Sequence, residues 1–269
     1  MTWEATIKFI RTQPKYSCLV AKGYFEEDLS LNVERFRQSE EFFETLKFLK
    51  QYKPNAQNIL DIGSGNGISA VALALEGYDV VTIEPDTSNT VGAGAIRKLK
   101  EHYNLGNLQV YEAFAEEIQF PNESFDIVYA RQCMHHAYDL DKFVAEASRV
   151  TKKNGLFITI RDHVIFDRKD KEWFLENHPL QKFYGGENAF TPTEYKTAML
   201  NAGLKIDKEI KYFDNVMNYF PFSKHEVLNM FQMEKSKALL HLNKKIGIVS
   251  KIPFFQEMYF KKISLTQES

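Results

Sequence analysis

The sequence predicts an α/β fold in which a mostly parallel β-sheet carries helices on both faces. Three observations predict it. Short apolar or β-branched runs alternate with helical patterns from residue 58 to residue 160. The first run ends in a glycine-rich loop, Gly63-Ser64-Gly65-Asn66-Gly67, which opens a helix. The second run ends in an acid, Glu84. Strands that alternate with helices pair in parallel, because each return crosses one face of the sheet.

Residues 1–53 read as a helical cap that precedes the sheet. Ile7, Phe9 and Ile10 start one apolar pattern, and Phe36, Phe42, Phe43, Leu46 and Leu49 form a second with spacings near three and four. Gly23-Tyr24-Phe25-Glu26-Glu27-Asp28 separates them as a loop, and Pro54-Asn55 breaks the chain before the first strand. Strands are predicted over 58–62, 79–83, 108–111, 125–130 and 156–160, with helices over 69–75, 91–102 and 140–150 between them. Residues 163–190 interrupt this alternation as an insertion containing Trp173, His178-Pro179 and Gly185-Gly186. A helix over 193–201, a strand over 204–210 and a last strand within 212–222 complete a main domain spanning 54–222. Residues 223–269 form a C-terminal helical extension.

Composition sets the class. The chain has 269 residues, 44% of them hydrophobic and 26% charged, which suffices for a well-filled core. Its net charge of -2 gives no general attraction for nucleic acid. Two distant cysteines, Cys18 and Cys133, predict neither a disulfide framework nor a zinc site, and fit a reduced, cytoplasmic setting. The start, Met1-Thr2-Trp3-Glu4, lacks the basic-then-apolar pattern of a secretory leader.

The glycine loop carries the sharpest functional signal. Glycines at the carboxyl end of a parallel strand let the backbone turn tightly and let a ligand approach it. Glu84 follows about 20 residues later, where an acid accepts hydrogen bonds from a ribose diol. A dinucleotide fingerprint spaces its glycines as G-x-G-x-x-G and seats a pyrophosphate on the helix N-terminus. Here the spacing is G-x-G-x-G and Asp61 precedes it. That acid repels a pyrophosphate and suits a ligand end that carries an ammonium. An NAD-dependent oxidoreductase is the alternative enzyme class, and a non-catalytic cofactor-binding subunit is the third.

At these residues the chain resembles the class I S-adenosylmethionine-dependent methyltransferases, in particular the group related to the ubiquinone and menaquinone C-methyltransferases. The resemblance covers about residues 57–211. "ILDIGSGNGISAVALA" matches the first motif of that family and "VVTIEPD" the second. "EAFAEEIQFPNESFDIVYARQCMHHAYD" is similar to the third and fourth, and "EASRVTKKNGLFITI" to the helix and strand that follow. The resemblance implies a Rossmann-like, seven-stranded sheet and S-adenosyl-L-methionine as cofactor. It implies a cofactor site of Asp61, Gly63, Ser64, Gly65, Gly67, Glu84, Pro85, Ala115, Glu116 and Arg131, with Glu84 on the ribose and Ala115-Glu116 beside the adenine.

Methyl transfer from a sulfonium is an in-line displacement. The protein must align the acceptor, exclude water and, for a hydroxyl, remove a proton. Loops after the fourth and fifth strands face the methyl group. They carry Arg131-Gln132-Cys133-Met134-His135-His136 and Arg161-Asp162-His163. Imidazole is the side chain best poised for proton transfer near neutral pH, so His135, His136 and His163 are the candidate bases, with Asp162 as an orienting acid. Their spacing is not a metal-ligand pattern, and the expectation is a metal-free site. Cys133 reads either as a nucleophile or as a small buried filler. Methylation of a nucleobase nitrogen is disfavoured, because no Asn-Pro-Pro-aromatic pattern follows the fourth strand. The cap together with "HPLQKFYGGENAF" is similar to methyltransferases associated with bacterial surface polysaccharides. The expected acceptor is a small molecule, methylated at a hydroxyl or an activated carbon.

In the tail, Lys244-Lys245, Lys251 and Lys261-Lys262 interleave with Ile246, Ile248, Ile252, Phe254-Phe255, Met258, Tyr259 and Phe260. Such a segment packs on its own domain, on a partner as in a homodimer, or peripherally on an anionic membrane.

Overall fold

The computed structural model describes residues 1–178, 180–210, 214–219, 225 and 229. Five strands form one sheet: β1 (Asn58–Ile62), β2 (Asp79–Ile83), β3 (Leu108–Tyr111), β4 (Phe125–Arg131) and β5 (Thr151–Ile160). Their spatial order is β3-β2-β1-β4-β5, and every neighbouring pair is parallel. Strand order reverses between β1 and β4, so a crevice opens there at the carboxyl ends of the strands.

Each strand alternates its side chains between two cores. Ile59, Ile127 and Tyr129 point to one face, packed with Val71, Leu73 and Ile96 of helices α5 (Ile68–Leu75) and α6 (Ala93–His102). Leu60, Ile62, Val128 and Ala130 point to the other, under Phe143, Val144 and Ala147 of α7 (Leu140–Val150) and Tyr195 and Ala198 of α9 (Pro192–Asn201). Each fully buried side chain of this size stabilises the fold by about 1.5–3 kcal/mol.

Four helices precede β1: α1 (Trp3–Arg11), α2 (Ser17–Lys22), α3 (Leu29–Arg37) and α4 (Glu40–Tyr52). Asp28 caps α3 and Ser39 caps α4, so the apolar pattern read across residues 36–49 is two helices with a break at Ser39. Val33, Phe36, Phe42 and Leu49 enter the same core as Ile59 and Val71, which sets α3 and α4 against the sheet. Helices α1 and α2 instead share a small core with Val91 and Leu180. Through it the insertion meets the cap over the start of α6.

Three features depart from the sequence-based expectation. Residues 204–210 form no β-ladder, and the sheet has five strands among the described residues instead of seven. Lys205, Asp207, Lys208 and Glu209 put charge on both faces of that run, so no continuous apolar face is left to bury. Of residues 212–222, the described ones hold a 3-10 turn, Val216–Asn218, capped by Asn215. Strand β5 begins at Thr151 rather than at residue 156, with a register irregularity opposite Phe125 and Ile127. Within the insertion α8 (Arg168–Asn177) forms behind the Asp167 cap. The basic tail at 244–262 lies outside the described residues. Among the described residues no helix is long and apolar enough to cross a membrane.

Candidate functional site

The crevice is built first by the loop after β1. Gly63, Gly65 and Gly67 have φ of 64°, 57° and 88°, a region that side chains disfavour. Gly63 also has no room for one, since a Cβ there would overlap the Cys133 Sγ. At Gly65 the corresponding space is open, with only the Val91 carbonyl 3.9 Å away, so a ligand can approach the backbone there. Asn66 donates to the Tyr24 carbonyl at 2.6 Å and ties the loop to the cap.

Asp61 is fully buried beneath this loop. Its Oδ2 accepts the Ser69 hydroxyl at 2.7 Å and the Ser64 hydroxyl at 2.8 Å. Its Oδ1 is buried and, among the described residues, has no hydrogen-bond partner. Burial raises the Asp61 pKa to about 6, against the two hydroxyls, which lower it. A buried carboxylate oxygen left open is costly unless something charged meets it. A cationic ligand end such as an α-ammonium meets that need.

Glu84 at the end of β2 is also buried. It accepts the Gly65 amide on Oε2 at 2.8 Å and the Asp86 amide on Oε1 at 2.9 Å. Burial raises its pKa to about 7, opposed by those two amides. Pro85, exposed between Glu84 and Asp86, shapes the turn that brings the Asp86 amide back. Across the crevice Ala115 and Glu116 are buried, and Glu116 accepts the Tyr138 amide at 3.0 Å. An open acid, a glycine approach and a buried acid at the end of β2 form a set that fits S-adenosylmethionine.

Arg131, at the end of β4, is tied to the cap. Its fork closes on Glu41 of α4, Nε to Oε1 at 2.6 Å and Nη2 to Oε2 at 3.0 Å. Arg161, after β5, reaches Glu41 Oε2 at 2.8 Å. The Arg131 guanidinium also lies 5.1 Å from the Phe36 ring centroid. This makes Arg131 a link between β4 and the cap. Burial opposes the ionised form of Glu41, but the two guanidiniums outweigh it and lower its pKa.

The carboxyl ends of β4 and β5 gather the candidate catalytic residues. Both strands leave the sheet through left-handed residues, Gln132 at φ 49° and Arg161 at φ 64°. Asp162 accepts the His135 amide at 3.0 Å and lies 3.0 Å from the His135 Nδ1 on the same oxygen. The Thr159 hydroxyl also donates to it. Burial raises the Asp162 pKa to about 6. His135 is buried, and desolvation with its imidazole neighbours lowers its pKa well below the usual range. His163 is lowered likewise, so both rings are neutral. Ring centroids of His135 lie 4.1 Å from His136 and 4.3 Å from His163. His136 is exposed and holds the Gly186 carbonyl through Nδ1 at 2.9 Å. Cys133 is a filler: burial and nearby carboxylates push its thiol well above the ordinary value, which leaves it protonated.

Two residues of this cluster come from the insertion and were not among the sequence candidates. His178 has its ring 5.4 Å from that of His163. The Glu187 Oε2 lies 3.9 Å from the His163 Nε2, and its Oε1 lies 3.6 Å from the His178 Nδ1. The sequence offered one usable signal, a histidine and an acid in a segment that has to fold back over β5.

Residues 60–159 match the methyltransferase domain family. An uncharacterized methyltransferase of Bacillus subtilis, YcgJ, is 30% identical over 51% of this chain and 54% of its own length. A ubiquinone/menaquinone biosynthesis C-methyltransferase of Vibrio campbellii is 30% identical over 39% of this chain and 40% of its own. The chain spans about half the length of the curated relatives it matches. The crystal structure of the Bacillus protein has a TM-score of 0.52 at 23% identity, covering 60% of this chain and 67% of that one. Geranyl diphosphate C-methyltransferase from Streptomyces coelicolor, solved with S-adenosyl-L-homocysteine, has a TM-score of 0.57 at 15% identity, covering 84% and 75%. Both share the fold.

Proposed function

We propose that this chain, whose residues 60–159 belong to the methyltransferase domain family of the class I, S-adenosylmethionine-dependent type, methylates a small molecule at a hydroxyl or at a carbon activated by one. One observation carries the choice of acceptor. After β4 and β5 a histidine–aspartate pair, His135 with Asp162, lies beside two further imidazoles, which supports this reading.

S-Adenosylmethionine supplies an electrophilic methyl group, and what remains for the protein is placement and proton removal. Asp61 faces the amino-acid end of the cofactor, Gly65 gives its backbone room, and Glu84 takes the ribose. His135 and His163 line the floor on which the acceptor oxygen sits, with His135 oriented by Asp162. His136 donates from Nδ1 to Gly186, which leaves its Nε2 lone pair free to take the proton. A base placed this way typically contributes about 10²- to 10⁴-fold. An amine acceptor would need no such group, which favours oxygen or hydroxyl-activated carbon.

A dinucleotide reading is weaker, because the pyrophosphate would meet the carboxylate of Asp61. The test is incorporation of labelled methyl from S-adenosylmethionine into a metabolite extract, followed by identification of the product. With the acceptor in hand, His135→Ala, His136→Ala and His163→Ala are compared for turnover and S-adenosylhomocysteine affinity. At least one should lose turnover about 100-fold or more while binding cofactor normally. Parent-like turnover in all three would return the cluster to a packing role.

A further inference from the structure

We propose that His135, His163 and Glu187 hold a divalent transition-metal ion at the acceptor side of the crevice, supported by Asp162 and His178. The binding stands on the side chains alone, while its use in proton removal rests on the methyl-transfer reading above.

Each of the three residues offers one ligand atom, and these atoms lie within 4.8 Å of one another. Metal bonds of about 2.1 Å put tetrahedral ligand atoms about 3.4 Å apart, so rotamer adjustments of about an ångström close the shell. Two imidazoles and one carboxylate suit a borderline divalent ion and leave a coordination position open.

Two further observations point to a missing cation. The Glu187 carboxylate is 5% exposed and, among the described residues, accepts no hydrogen bond. Among the described residues the buried His178 Nδ1 has no hydrogen-bond partner and faces Glu187 at 3.6 Å. A buried carboxylate that accepts no hydrogen bond is unfavourable unless a donor or a positive charge meets it. On the other side, Asp162 holds the His135 Nδ1, as an outer carboxylate holds a metal-bound histidine, which leaves Nε2 as the ligating nitrogen. An acceptor hydroxyl in the open position would have its acidity raised by the ion. Its proton leaves to His136 and then to solvent. The oxygen forms its bond to the methyl carbon as the carbon–sulfur bond breaks, and a neutral ether and thioether result.

The expectation of a metal-free site arose because His135, His136, Asp162 and His163 alone lack a ligand pattern. Glu187 and His178 complete it from a distant segment.

The test strips the full chain with a chelator and titrates it with Co²⁺ by visible absorption and with Zn²⁺ by calorimetry. One ion per chain is expected. Glu187→Gln and His163→Gln should each bind at least tenfold more weakly, and Asp162→Asn about 10–100-fold more weakly. His225→Gln and His241→Gln should match the parent. S-Adenosylhomocysteine affinity serves as the folding control. If a ligand variant fails to fold, X-ray absorption of the Zn²⁺-loaded parent decides: two imidazoles support the site, and an all-oxygen shell overturns it. A stripped parent that binds no ion, or parent-like affinity in both Glu187→Gln and His163→Gln, also overturns it. A parent that binds Zn²⁺ but not S-adenosylhomocysteine keeps the metal site and ends the methyl-transfer reading; one that binds only the latter does the reverse.

Discussion

Replacing Glu41 by Gln removes one negative charge from between two buried guanidiniums and changes almost no volume. Glu41 is fully buried, and the Arg131 and Arg161 side chains are 10% and 12% exposed. Removing one partner of a buried ion pair costs about 3–5 kcal/mol, because the remaining charge is left without compensation. Here two cations are left, so the upper part of that range applies. For domains of 150–250 residues about 2–4 °C of midpoint accompany each kcal/mol, so about 4–5 kcal/mol gives a fall of about 8–20 °C. The pH dependence has a fixed sign. The folded pKa of Glu41 lies below its ordinary value of 4.5, so its stabilisation is complete above that value and is lost as pH falls through the folded pKa. Thermal unfolding followed by circular dichroism should show the full gap between parent and Glu41→Gln at pH 7 and a narrowing gap below about pH 4. Glu172→Gln, at an exposed pair with Arg168, should leave the midpoint unchanged. A Glu41→Gln midpoint within about 2 °C of the parent at pH 7 would refute the reading of the triad as the link between cap and sheet.

Two further outcomes follow from the crevice. Gly63→Ala should destabilise by about 1–3 kcal/mol, through the left-handed backbone and the overlap with Cys133, and Cys133→Ala in the same chain should return part of the loss in a urea titration. Asp61 and Glu84 have folded pKa values raised to about 6 and about 7, so the stability they contribute without cofactor is present at low pH and lost as pH rises through those values. A cofactor ammonium and ribose diol favour the ionised acids, so S-adenosylhomocysteine affinity should rise from about pH 5 to about pH 7, with proton release seen as buffer-dependent heat in calorimetry. Buffer-independent heat at pH 6 would contradict that coupling.

The parts that were legible in the sequence are those where one local pattern decides the outcome. β1 and β4 are short apolar runs buried on both faces, and such runs announce themselves. The glycine loop is legible because positive φ at three alternate positions demands that residue type. The start of β5 was hidden, because Thr151-Lys152-Lys153-Asn154 is polar and only its pairing beside Phe125 makes it a strand. Helix α8 was hidden by its charges, since Arg168 to Glu172 has no apolar stripe. The ion pair of Arg131 was hidden for a different reason. Its partner Glu41 lies 90 residues earlier on the buried face of α4, and only the packing of that helix on the sheet makes the pair. Glu187 and His178 escaped for the same reason: a site assembled from an insertion has no spacing to recognise.

The central claim is that Asp61, the glycine loop and Glu84 form a site for S-adenosylmethionine. Calorimetry of S-adenosylhomocysteine and of NADH against the parent and Glu84→Ala tests it most directly. One S-adenosylhomocysteine site is expected in the parent, weakened in a folded Glu84→Ala chain by about 1–3 kcal/mol, or roughly 5- to 150-fold, with no heat from NADH. Unchanged affinity in Glu84→Ala, or saturable binding of NADH in place of S-adenosylhomocysteine, would contradict it.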